Sequence, residues 1–103
     1  MDLSHTLRPL GYVPVIEIDD AANALPLTEA LLAGGIGCIE VTLRTAAGLP
    51  AIAAIVRAGL PLIAGVGTVT NADQVRACVD AGAQFAVAPG YTHAIGRACR
   101  DAG

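Results

Sequence analysis

Four times along the chain an Ala-Gly pair closes an alanine- and leucine-rich stretch, at Ala33-Gly34, Ala58-Gly59, Ala81-Gly82 and Ala102-Gly103. Glycine just past the last helical turn adopts the left-handed backbone that other residues resist, so each pair predicts a helix end. The pairs recur about every 21 to 25 residues, a length that fits one strand plus one helix. Short apolar runs lie where the strands would be, at 13–18, 38–43, 62–66 and 85–88. They are rich in β-branched residues without polar alternation, the pattern of strands buried on both faces. Pro14 sits near the start of its run, a tolerated place.

The intervening segments have helical period and are expected at 21–33, 46–58, 71–81 and 92–102. Asn71 and Thr92 are suitable N-caps. Pro26 is acceptable only in a first turn, so the first helix is expected to begin after Ala21. Residues 1–11 form a lead-in with one short helical turn around Thr6 to Arg8. Successive strand–helix units with parallel strands give either a small open α/β sheet complete in four strands or half of a (β/α)8 barrel. A whole barrel needs roughly 200 residues or more. Residues 1–103 are therefore expected to form a single, partial domain, cut at a unit boundary.

The second strand decides between these readings. In Cys38-Ile39-Glu40-Val41-Thr42-Leu43-Arg44, alternate residues face opposite ways. Ile39, Val41 and Leu43 ask for a core, while Cys38, Glu40, Thr42 and Arg44 share the other face. An acid, a hydroxyl and a base in line on a strand this apolar favour a barrel interior, where the site lies at the carboxyl ends of the strands. Arg44, Thr45, Gly67-Thr68 and Pro89-Gly90 all fall at that end.

Glu40, between Ile39 and Val41, is expected to be partly desolvated, which raises its pKa and suits a general base; a structural acid paired with an arginine is an equal alternative. Arg44 lies roughly 13 Å further along, at ~3.3 Å per residue. It would hold an anionic substrate in the fork of its guanidinium or stand as a solvated rim charge. Gly65-Val66-Gly67-Thr68 offers close backbone approach and a hydroxyl at the site end, but taken alone it reads first as a plain turn. It lacks the third glycine of a dinucleotide fingerprint and the Gly-Lys-Ser/Thr of a phosphate loop.

Weaker candidates have simpler explanations. Pro89-Gly90-Tyr91 reads first as a turn, with Tyr91 covering a site as the alternative, and Glu17, Asp19 and Asp20 read as a solvated loop, with a cation or substrate rim as the alternative. His5 and His93 are isolated, so metal ligation is not expected. Cys38 is a small core filler. Cys38, Cys78 and Cys99 are odd in number and widely spaced, which argues against a disulfide framework and for free thiols in a reducing compartment. The net charge of -3 and six scattered arginines argue against nucleic acid or an anionic membrane as partner. No apolar run approaches the roughly 18 residues of a membrane-spanning helix, and the start lacks a signal-peptide pattern. A soluble, cytoplasmic protein is expected.

In this order the motifs carry a resemblance. Val13-Pro14-Val15-Ile16, Ala33-Gly34-Gly35-Ile36, Ile39-Glu40-Val41-Thr42-Leu43-Arg44-Thr45, Gly65-Val66-Gly67-Thr68-Val69 and Ala81 through Gly90 resemble the 2-keto-3-deoxy-6-phosphogluconate (KDPG) / 4-hydroxy-2-oxoglutarate (KHG) aldolases. The resemblance implies the N-terminal half of a (β/α)8 barrel from a homotrimeric class I aldolase. Such an enzyme cleaves its substrate to pyruvate and glyceraldehyde 3-phosphate through a lysine Schiff base, without a metal or other cofactor. By motif position Glu40 matches the family's general acid/base, and Arg44 and Thr68 match residues that hold the pyruvate carboxylate.

One departure limits this. The family's Schiff-base lysine comes from a later strand, and these 103 residues contain no lysine. The chain alone is expected to be inactive. The rival reading is a non-catalytic half-barrel that self-associates through open strand edges or binds a small keto acid. A related phosphate-binding barrel such as an epimerase fits the Glu40–Thr45 run less well.

Overall fold

The computed structural model describes residues 2–103. A short helix α1 (Leu3–Leu7) and a 3-10 turn (Arg8–Leu10) precede the first strand, β1 (Val15–Ile16). There follow α2 (Ala24–Ala33), β2 (Cys38–Thr42), α3 (Gly48–Ala58), β3 (Ile63–Gly67), α4 (Ala72–Asp80), β4 (Phe85–Ala86) and α5 (His93–Ala102). The lead-in is thus more helical than expected. Leu10 lies 3.5 Å from where a side chain on Gly37 would begin, which puts the lead-in under the amino end of β2.

All four strands are parallel, in the order β1-β2-β3-β4. Parallel crossovers are right-handed, so an unbroken sequential order winds every helix onto the same side. A doubly wound open sheet needs a reversal of strand order to cover both faces, and none occurs here. The core accordingly has one side. Ile39 and Val41 of β2 and Ala64 and Val66 of β3 meet Ala51, Ile52 and Ile55 of α3 and Val75 and Cys78 of α4 in a single cluster. The opposite, inner face of the sheet carries Cys38, Glu40 and Thr42 from β2.

The local signals act largely as read. Asn71 Oδ1 accepts from Gln74 N, and Thr92 Oγ1 accepts from Ile95 N. A 3-10 turn (Ala21–Asn23), capped by Asp20, precedes α2, so Pro26 falls in the first α-turn. At the first helix end the left-handed residue is Gly35 (φ 84°), not Gly34 (φ -83°). There Ile36 N bonds Leu31 O and Gly35 N bonds Leu32 O, moving the stop one residue on. Helix α3 starts at Gly48 rather than Ala46, because its first turn packs on the end of β2. A Cβ on Gly48 would sit 2.6 Å from Thr42 O.

The outer strands are shorter than expected, at two residues each, because each has a partner on one side only. Val15 on β1 is 60% exposed, and Tyr12, Val13 and Val87 are exposed as well.

Gly65 is fixed by its neighbour. It pairs with Phe85 across β3–β4, and a Cβ there would lie within 3.0 Å of three carbons of the Phe85 ring. The ring covers the glycine. Gly65→Ala is expected to cost about 1–3 kcal/mol of stability, and Phe85→Leu in the same chain to recover much of that. Denaturant unfolding of the four chains of this double-mutant cycle measures the coupling.

Candidate active site on the inner face

The site is built on β2 and β3. Their register places Cys38 opposite Ile63, Glu40 opposite Gly65 and Thr42 opposite Gly67. The polar face of β2 therefore runs beside a β3 face made of one isoleucine and two glycines. The Glu40 side chain leans along the sheet until its carboxyl lies over Gly67. A Cβ on Gly67 would lie 2.8 Å from Glu40 Cδ and closer still to Oε2. Gly67 is the recess in which the carboxyl rests.

Glu40 is 7% exposed. Burial pushes its pKa above the ordinary glutamate value, and the positive charge of Arg44 opposes that shift more weakly. Among the described residues Glu40 has no ion pair and accepts no hydrogen bond. Burial without an ion pair is not the setting of a salt-bridged structural acid. Cys38, fully buried on the same face, has its thiol pKa raised by burial and by the Glu40 charge. It is an inert filler, not a nucleophile.

Thr42 was not singled out by sequence reasoning. It is 2% exposed, and its Oγ1 is buried without a hydrogen-bond partner. Leaving a buried hydroxyl unsatisfied costs about 1–3 kcal/mol. Only its place between Glu40 and Arg44 on the β2 face hinted at this, so the inner face offers a free donor beside the carboxyl.

Arg44 lies in the turn after β2, exposed at the carboxyl end of the sheet. Among the described residues it makes no ion pair, and its guanidinium stands free at the rim. Thr45, next in the chain, donates its hydroxyl to Ile18 O and ties this turn to the end of β1. Thr68 follows Gly67 at the same end, half-buried, and is the one non-glycine residue with positive φ (61°) among those described. A threonine held in this conformation is strained by about 1–3 kcal/mol, and such strain gathers at functional sites. The next residue is tied down, with Val69 N donating to Val87 O at 3.1 Å. The structure thus places Glu40, Arg44 and Thr68 along one face and rim of β2 and β3.

The weaker candidates fall elsewhere. Tyr91 turns back onto α5, where a Cβ on Gly96 would be 2.6 Å from its ring; it does not cover the inner face. His93 is the first residue of α5, and Asp20 caps the turn before α2. Glu17 and Asp19 are exposed.

A family model described as KDPG and KHG aldolase matches residues 3–103. A 2-dehydro-3-deoxy-phosphogluconate aldolase of Pseudoalteromonas atlantica is 52% identical over 80 residues, covering 78% of this chain and 37% of the relative. The crystal structure of the Zymomonas mobilis ZM4 KDPG aldolase with 3-phosphoglycerate superposes with a TM-score of 0.89 at 39% identity, over 97% of this chain and 47% of that one. The KDPG aldolase of Legionella pneumophila, solved with pyruvate captured at low pH as a covalent carbinolamine, gives 0.81 at 42% identity, over 85% and 43%. The chain spans less than half the length of each. With its sequential parallel sheet it corresponds to an N-terminal half-barrel. The chain belongs to the KDPG and KHG aldolase family.

Proposed function

We propose that these residues form the acid–base and carboxylate-anchoring half of a Schiff-base aldolase. Its substrate is 2-keto-3-deoxy-6-phosphogluconate, cleaved to pyruvate and glyceraldehyde 3-phosphate. The observation that carries this reading is the buried Glu40 carboxyl, without an ion pair, resting over Gly67 on the inner face. Family membership and the free Arg44 at the rim support it.

The chemistry assigns each group a task. Arg44 presents two parallel N–H donors to the substrate carboxylate, and Thr68 adds a hydroxyl, so the keto carbon is fixed relative to Glu40. Glu40 takes the proton of the C4 hydroxyl as the C3–C4 bond breaks, and gives a proton to C3 as pyruvate forms. The imine that drains electrons from the breaking bond needs an amine. None of the 103 residues is a lysine, so the amine comes from outside them. The reading requires no metal or other cofactor. It places the enzyme in the cytoplasm as a homo-oligomer, trimeric as the family resemblance implies.

The second reading, a non-catalytic half-barrel that self-associates, is favoured by the exposed Val13, Val15 and Val87 and by the two outer strands with one partner each. Pyruvate with borohydride separates the readings. The 103-residue chain is expected to gain no reduced adduct by mass and to release no pyruvate from substrate; turnover by this chain alone contradicts the proposal. Joined to a lysine-bearing C-terminal half from a relative, it is expected to trap pyruvate. In that protein Glu40→Gln should lower kcat by about 10²–10⁴-fold, whereas Arg44→Ala should act chiefly on KM.

A stability measurement tests the protonation state of Glu40 on the chain itself. A carboxyl whose folded pKa lies above its unfolded value contributes most below the unfolded pKa, and loses that contribution as pH rises through the folded one. Glu40→Gln is therefore expected to raise Tm by a few degrees at pH 7, with the difference shrinking towards pH 4. A structural ion pair predicts the opposite, a Tm lowered at pH 7.

A further inference from the structure

Helices α4 and α5 pack side by side and, with the lead-in and β4, line a half-open cavity of about 290 Å³. Cys78 of α4 and Cys99 of α5 both line it, among Leu3, Val75, Val79 and Ala102. Cys78 is buried and Cys99 half-buried. Among the described residues no acidic, basic or histidine side chain lines this cavity, and Gln84 is its polar side chain. Among the described residues no group of three His, Cys, Asp or Glu could hold a metal.

We infer that Cys78 and Cys99 form a reversible oxidation site, joining α4 to α5 as a disulfide when the protein meets a peroxide. Burial, together with the charge of Cys99, pushes the Cys78 thiol up to about 11. The two thiols face one cavity from neighbouring helices, so a disulfide joins them across it. Cys99, the more accessible thiol, reacts first: its sulfur attacks hydrogen peroxide, the O–O bond breaks, and a sulfenic acid and water form, the thiol proton leaving with the departing oxygen. The Cys78 sulfur then attacks the Cys99 sulfur, the S–O bond breaks, and water leaves with the Cys78 proton. Two thiols are oxidised and one peroxide is reduced. Cys38, buried on the inner face, lines neither this cavity nor the α4–α5 contact.

The test is peroxide treatment of the intact chain, read by mass and by peptide mapping. The expected product is 2 Da lighter, carries a Cys78–Cys99 linked peptide, returns to the starting mass with dithiothreitol, and unfolds roughly 10 °C higher. Cys78→Ser should stop Cys99 at the sulfenic or sulfinic acid, and Cys38→Ser should leave the crosslink and its reversal by dithiothreitol in place. Cys99 oxidised to the sulfinic acid in the wild-type chain without a crosslink overturns the inference, as does a crosslink that uses Cys38.

Discussion

The pairing of β2 with β3 sets Glu40 opposite Gly65 and Thr42 opposite Gly67, and the rest of the structure depends on that register. Side chains alternate along both strands, so one register serves both faces. Toward the helices it aligns Ile39 and Val41 with Ala64 and Val66 in the core. On the other face it lays the polar side of β2 against two glycines. One takes the Phe85 ring from the next strand, and the other takes the Glu40 carboxyl. A slip of one residue would turn Glu40 into the helix-covered core and Val41 out of it, losing the hydrophobic layer and the site together. Stability and site geometry are thus fixed by the same backbone hydrogen bonds.

This dependence explains which features were legible in the sequence. Helix caps at Asn71 and Thr92, the displaced start of α2 and the glycine stops at Gly59 and Gly82 rest on contacts within a few residues, so local pattern suffices to find them. Glu40, Arg44 and Thr68 could be singled out because alternation on one strand and position at strand ends are also local properties. What Gly65, Gly67 and Gly48 do was not legible. Each is required by a group from another element: the Phe85 ring, the Glu40 carboxyl and the Thr42 carbonyl. In sequence the glycines of Gly65-Val66-Gly67 suggest room for a ligand, but in the fold the protein's own side chains take that room. The strain at Thr68 and the unsatisfied hydroxyl of Thr42 were hidden for the same reason. The two-residue lengths of β1 and β4 reflect missing neighbours, which no property of those residues records.

The inner face departs from what stability alone would select. It holds a carboxyl that burial inclines to keep its proton, a buried hydroxyl without a partner, a strained threonine and a free guanidinium at the rim. The buried carboxyl, the orphaned hydroxyl and the strained threonine are each costly to a chain selected for stability alone. No lysine stands among these residues.

The central claim is that the register of β2 on β3 holds Glu40 in a desolvated recess over Gly67. Titrating the Glu40 side-chain carboxyl by carbon-13 NMR, in the wild-type chain and in Gly67→Ala, tests it most directly. The account predicts a wild-type pKa above the ordinary 4.5 and a return towards it in Gly67→Ala, where the added methyl evicts the carboxyl to solvent. A wild-type value at or below 4.5, or a raised value unchanged by the substitution, would contradict it.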